Sequence, residues 1–302
     1  MSRNATKDLT TGSPMKLILG FGIPLLFGML FQQFYNMMDT IIVGKFLGVS
    51  ALASVGATGS INFMIIGFCM GVCNGFAIPV AQRFGAKDEH GMRKFVANSV
   101  WLSIIFAVVM AVLVCVFCRQ ILELMNTPED IIDGSYSYIF VIFLGIPATY
   151  MYNLLSGIMR SLGDSKTPLY LLIFSSILNI ILDLLSIIVL KMGVAGAAWA
   201  TVIAQAVSGF CCLGVIWKKF PILHVQREEW QPDKICILNL CNMGIPMGLQ
   251  YSITAIGSVI IQAAVNSLGS VAVASVAAAV KINMFLCCPY DAMGSTMATY
   301  AG

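Results

Sequence analysis

The chain has 302 residues, of which 17 are Lys or Arg and 14 are Asp or Glu, so only 10% carry charge while 59% are hydrophobic. Mean hydropathy is +0.89. An ordinary soluble domain carries about 25% charged residues, and a water-soluble globule this apolar could not cover its surface; a disordered chain, a nucleic-acid binder and an ordinary cytosolic enzyme are excluded, and the chain reads as an all-α polytopic membrane protein whose partner is the lipid bilayer.

The first fourteen residues are polar. The apolar stretch behind them is far longer than a signal-peptide core and lacks a small-residue cleavage pattern, so the first helix is expected to stay as an anchor. A bilayer core takes about 20 apolar residues per helix. Eight stretches qualify, roughly 17–43, 51–80, 95–118, 136–158, 168–190, 194–217, 237–265 and 271–302. In the first, Pro24 removes a backbone hydrogen bond and can bend the helix, as Pro246 can in the seventh. The first also carries a polar stripe, Gln32, Tyr35, Asn36 and Asp39, spaced by three or four so that one face holds all of them. In the second, Gly67, Gly71 and Gly75 form a small-residue face suited to close helix packing.

In the fifth stretch Asn179 and Asp183 are i,i+4 neighbours, and in the sixth Thr201 places a hydroxyl among Ala and Val. Lys281 and Asp291 lie in the eighth. A carboxylate at mid-membrane costs roughly 2.5–3.5 kcal/mol on insertion scales, so each buried acid requires a reason. If the faces bearing Asp39, Asn179, Asp183 and Thr201 converge, they form a poorly hydrated site of two carboxyls, an amide and a hydroxyl. Such a group can take up a proton or ligate Na⁺; the alternative is that these polar groups only fasten helices together. Asp39 corresponds to Ile260 or Ile261 in the repeat described below, so the acid belongs to one half only.

None of the ten cysteines shows a secreted disulfide spacing, and Cys115-x-x-Cys118 has no second metal pair. The two histidines, His90 and His224, fall in polar loops, so neither a metal site nor a cofactor is expected. No span holds a nucleophile–base pair or an HExxH or GxSxG run, which argues against an enzyme.

Orientation follows from the basic residues. The N-terminus and the second, fourth and sixth connectors hold thirteen, among them Arg83, Arg93, Arg160 and the pair Lys218–Lys219, against three on the other side: Lys45, Arg119 and Lys191. The positive-inside rule puts the N-terminus in the cytoplasm of a cell whose plasma membrane the protein crosses repeatedly. Topology alone accounts for the Lys218–Lys219 pair.

Residues 47–62, LGVSALASVGATGSIN, match residues 268–283, LGSVAVASVAAAVKIN, at nine of sixteen positions with an offset of 221. Gly22-Ile23-Pro24 matches Gly244-Ile245-Pro246 at 222. Six spans separate the copies, so both enter from the same side, the parallel-repeat plan of some secondary transporters. A full duplication would run to roughly 440 residues, twice the offset, so the chain reads as stopping two helices into its second half.

FYNMMDTIIVGKFLG (34–48), AQRFGAKD (81–88), IMRSLGDSKTP (158–168), NIILD (179–183) and GVAGAAWATVIAQ (193–205) together resemble the multidrug and toxic compound extrusion (MATE) transporters of prokaryotic type. That resemblance implies two six-helix lobes. This chain would hold a complete N-lobe (1–217), an inter-lobe connector (218–236) and the first two helices of the C-lobe (237–302), eight helices instead of twelve. It also implies a secondary antiporter exporting amphipathic, often cationic drugs or toxins in exchange for H⁺ or Na⁺, with coupling in the N-lobe. The motif residues fall on Asp39, Asn179, Asp183 and Thr201, with Gln32, Tyr35 and Asn36 lining the substrate cavity of a monomer. A lipid-linked-sugar flippase of the same class is the alternative, weakened because Lys281 is the one basic residue placed inside a span; a non-functional fragment of such a transporter is the other.

Overall fold

The computed structural model describes residues 13–301 apart from 126, 128, 130 and 267–269, with backbone alone at 35–36, 49, 259, most of 262–282, and 301. Among the described residues ten α-helices run in order: α1 Pro14–Leu47, α2 Val49–Gly85, α3 Glu89–Val116, α4 Cys118–Leu124, α5 Ile132–Leu144, α6 Ile146–Ser161, α7 Lys166–Leu184, α8 Gly193–Lys219, α9 Lys234–Asn266 and α10 Ser270–Ala301. The long runs of apolar residues leave the backbone no partner but itself, which is why helices form wherever lipid is the solvent. Among the described residues, α1, α2, α3, α7 with the turn behind it, and α8 are each long and apolar enough to cross a bilayer.

The fourth expected span differs. It is a bent pair, α5 and α6, meeting at 47°. Pro147 at the start of α6 has no N–H to continue α5, and Gly145 lets Val202 of α8 press directly on the backbone. The helices are also longer than the apolar stretches, because their charged ends project beyond them.

Two motifs behind the family resemblance prove to be turn chemistry. In 81–88 the Asp88 carboxylate caps α3, accepting from the Gly91 N–H at 2.9 Å, and pairs with Arg83 at 3.0 Å. The Gly91 N–H, then Arg83, hold its carboxyl below the usual aspartate value despite the small cost of desolvation. In 158–168, Gly163 turns the chain at φ +81° and Asp164 Oδ1 accepts from the Lys166 and Thr167 N–H groups, each at 3.0 Å, to start α7.

The connector before α9 is latched onto α3. Glu229, with its side chain 1% exposed, accepts from Arg93 Nε at 2.9 and 3.0 Å and from the Gln226 N–H at 2.8 Å. His90 Nδ1 lies 2.8 Å from the same carboxylate, so His90 sits in the first turn of α3 rather than in a free loop. The Asp233 N–H donates to Asn98 Oδ1 at 3.0 Å and the Trp101 Nε1–H to the Trp230 carbonyl at 3.1 Å.

The copies identified by the repeat pack crosswise: α2 lies on α9, and α1 on α10. A Cβ on Gly75 would stand 2.5 Å from the Gly244 Cα, and one on Gly71 2.6 Å from the Met247 carbonyl oxygen. The glycine face read from α2 is therefore a seam between the halves.

Candidate ion-coupling site

Helices α1, α7 and α8 meet pairwise, and their polar faces converge. Asp39 is 8% exposed, Asn179 1% and Asp183 0%, with Ser175 and Ser176 also on the buried side of α7. The i,i+4 spacing puts Asn179 and Asp183 on the buried side of α7. The Asn179 Nδ2–H donates to Thr201 Oγ1 of α8 at 3.2 Å, and the Thr201 hydroxyl donates to the Ala197 carbonyl at 3.1 Å. Asp39 on α1 is the charged and hydrogen-bonding neighbour of Asp183.

Both Asp183 oxygens and the Asn179 amide oxygen are nevertheless buried without a donor. The two findings agree chemically. Ionised carboxylates only accept, so the Asp39–Asp183 contact becomes a hydrogen bond only when a proton lies between them. A monovalent cation could bridge the same oxygens instead. Hard oxygen ligands of this kind suit Na⁺ as well as H⁺, and the donor set fits either.

The four residues read as an ion site thus come together. Of the three read as cavity-lining, Gln32 is partly buried two turns before Asp39 and takes no part in the Asn179–Thr201 bond. The side chains of Tyr35 and Asn36 lie outside the described residues, as does that of Lys281. Asp291 is exposed on α10, where its charge is felt by Tyr251 of α9.

Two features escaped the sequence. Directly after Asp183 the chain makes one π-helical turn, Leu185–Val189, and the Ser186 hydroxyl donates to the Asp183 carbonyl at 3.2 Å. π-turns concentrate at functional sites, and here the turn lies against the acid's own backbone. No residue pattern announces it. The second is Arg160, counted above as a connector charge. It belongs to the last turn of α6 and is largely buried, with Tyr152, Cys212, Cys73 and Tyr251 as its polar neighbours. Side chains at helix ends lean toward the helix N-terminus, which carries this guanidinium inward. The contrast that left Lys281 as the one basic residue within a span is corrected accordingly.

The family model MatE matches residues 24–185, which includes α1 from Pro24 on, the bent pair and Asp183. The chain belongs to the MATE family. Its members are transporters, so this MATE chain is not an enzyme. It is 29% identical over 297 residues to the probable multidrug resistance protein YpnP of Bacillus subtilis, covering 98% of this chain and 66% of that protein. With YoeA of the same organism, also a probable multidrug resistance protein, identity is 30% over 291 residues, covering 93% and 62%. A MOP-superfamily transporter from Pyrococcus furiosus, whose reversed pocket polarity suggests a different function for that protein, superposes with TM-score 0.90 at 25% identity, covering 99% of this chain and 66% of that one. An outward-facing multidrug resistance MATE transporter gives TM-score 0.89 at 25% identity, over 99% and 66%. The chain therefore spans just under two thirds of the length of these relatives.

Proposed function

We propose that this chain forms the ion-coupling part of a secondary antiporter that exports amphipathic, often cationic compounds in exchange for H⁺ or Na⁺ by alternating access. The observation that carries this is the buried Asp39–Asp183 contact beside Asn179 and Thr201. Binding a proton or Na⁺ there joins α1 to α7. Because α1 also packs on α10 of the second half, a shift of α1 driven by the ion reaches the cleft between the halves. In this reading residues 1–217 are an N-lobe, 218–236 a cytoplasmic connector and 237–302 the start of a C-lobe. The protein works as a monomer in the plasma membrane with its N-terminus inside, which the distribution of Lys and Arg supports. Gln32, Tyr35 and Asn36 would line the path of the cargo.

One observation favours a second cargo class. The inward-leaning Arg160 guanidinium would suit an anionic amphiphile, lipid-linked or not.

The test uses the full-length protein in proteoliposomes, with an imposed H⁺ or Na⁺ gradient and two cargoes, a cationic dye and an anionic amphiphile. Asp39→Asn is expected to abolish gradient-driven dye efflux while the protein remains inserted. Unchanged efflux removes the coupling assignment, and gradient-driven movement of the anionic cargo alone favours the second class.

A further inference from the structure

On the lipid-facing side of α7 and α8 lies an open groove of about 450 Å³. Its volume is in the range of small-ligand sites, roughly 300–1,000 Å³. Leu171 and Phe174 of α7 form one wall and Gly214 and Val215 of α8 the other, while Lys218 and Lys219 stand at one end. The groove is open at Gly214, where no heavy atom comes within 4 Å of the place a Cβ would take. Helices α9 and α10 pack on α1, α2 and α3 instead, so neither of them covers it.

The end bearing the lysines has the character of a membrane–water boundary. Trp217 is 73% exposed, its ring lies 4.8 Å from that of His224, and His224 Nε2 is 3.1 Å from the Trp217 carbonyl. Tryptophan concentrates at headgroup depth, where its apolar body and N–H are both accommodated. Among the described residues neither Lys218 nor Lys219 takes part in an ion pair. Both close the last turn of α8. The partial negative charge of a helix C-terminus, about half an elementary charge, opposes an anion there, but two full lysine charges exceed it.

We propose that this groove binds one anionic phospholipid, with an acyl chain along Leu171, Phe174, Gly214 and Val215 and the phosphate against Lys218 and Lys219. The occupant is fixed by complementarity: an apolar channel facing lipid that ends in two unpaired cations matches an anionic lipid along its length. A zwitterionic lipid satisfies the channel but not the charge, and a free phosphate the charge but not the channel. Positive-inside topology explains why basic residues lie on this side; it does not explain a channel leading to them.

The experiment measures quenching of tryptophan fluorescence in full-length protein reconstituted with brominated phosphatidylglycerol or brominated phosphatidylcholine, assigned to Trp217 by difference from Trp217→Phe. Preference for the anionic lipid is expected. Each of Lys218→Gln and Lys219→Gln should reduce that preference about five-fold, from roughly 1 kcal/mol per basic residue at a membrane surface. Gly214→Phe, which places a ring in the groove, should lower quenching by both lipids and leave gradient-driven efflux in place. Inorganic phosphate should not displace the lipid. Equal quenching by the two lipids, an unchanged preference in both lysine variants, full quenching in Gly214→Phe, or displacement by a cationic dye overturns the proposal. The gradient-efflux assay on the same samples is read separately, so failure here leaves the ion-coupling reading untouched.

Discussion

Gly22 and Thr296 meet on one side of the seam between the halves as Gly244 and Gly75 meet on the other: a Cβ on Gly22 would stand 3.0 Å from Thr296 Oγ1, and one on Gly75 2.5 Å from the Gly244 Cα. Gly22 corresponds to Gly244 at the repeat offset of 222, and Gly75 to Thr296 at 221. The contact is thus one interface present twice, with a glycine pair on the α2–α9 side and a glycine–threonine pair on the α1–α10 side. Duplication inferred from letters is reproduced as duplicated packing.

The two sides should respond differently to added bulk. Gly75→Ala drives a methyl into backbone, Gly244 Cα and the Met243 carbonyl, which cannot rotate away. It should cost about 2–3 kcal/mol, at the upper end of overpacking effects. Gly22→Ala meets a rotatable hydroxyl and should cost under about 1 kcal/mol. Thermal unfolding of both variants in detergent checks the order; equal losses would place the seam elsewhere.

At the proposed ion site, Asn179→Leu removes the donor to Thr201 and sets a hydrocarbon beside Asp183. Ion-gradient-driven efflux should fall about ten-fold or more, the loss of about 1.4 kcal/mol expected when a buried polar group loses its partner. Thr201→Val leaves the amide in place and should reduce efflux by less. Initial rates over a series of imposed Na⁺ and H⁺ gradients separate a loss of ion binding from a general loss of activity.

The connector latch predicts an acid-sensitive contribution to stability. Removing Glu229 from water raises its carboxyl, but the Gln226 N–H and the Arg93 and His90 side chains outweigh that and hold it below the ordinary glutamate value. Because the folded value is depressed, the stabilisation is present above the unfolded value and is lost as pH falls through the folded one. Glu229→Gln, which takes the nearer carboxylate from the part-buried Arg93 and leaves it Glu89 at 3.5 Å, should destabilise by about 2 kcal/mol at neutral pH. The difference from wild type should begin to shrink once pH falls below the ordinary glutamate value and vanish below the depressed folded one, where the wild-type glutamate is itself protonated. Unfolding midpoints from pH 7 to pH 3 test both.

Charge scarcity and apolar runs made the helices legible, since in lipid a chain of this composition can satisfy its backbone no other way. Asp39, Asn179, Asp183 and Thr201 were legible as candidates because polar groups in such runs are costly, and i,i+4 spacing places the α7 pair on one face. Arg160 was misread because a position near a span's end says nothing about the direction in which a long side chain leans. The break between α5 and α6 was missed because hydropathy averages over it; only Val202 pressing on Gly145 exposes the bend.

By itself the sequence determined the membrane class, the repeat and the polar residues worth explaining, all of which depend on local composition and order. Tertiary structure alone decided that Asp39 of α1 meets Asp183 of α7, that α2 closes on α9 through glycines, and that a π-turn follows the buried acid. Those contacts join positions as much as 144 and 169 residues apart, and no local pattern specifies which faces of long apolar helices will pack together.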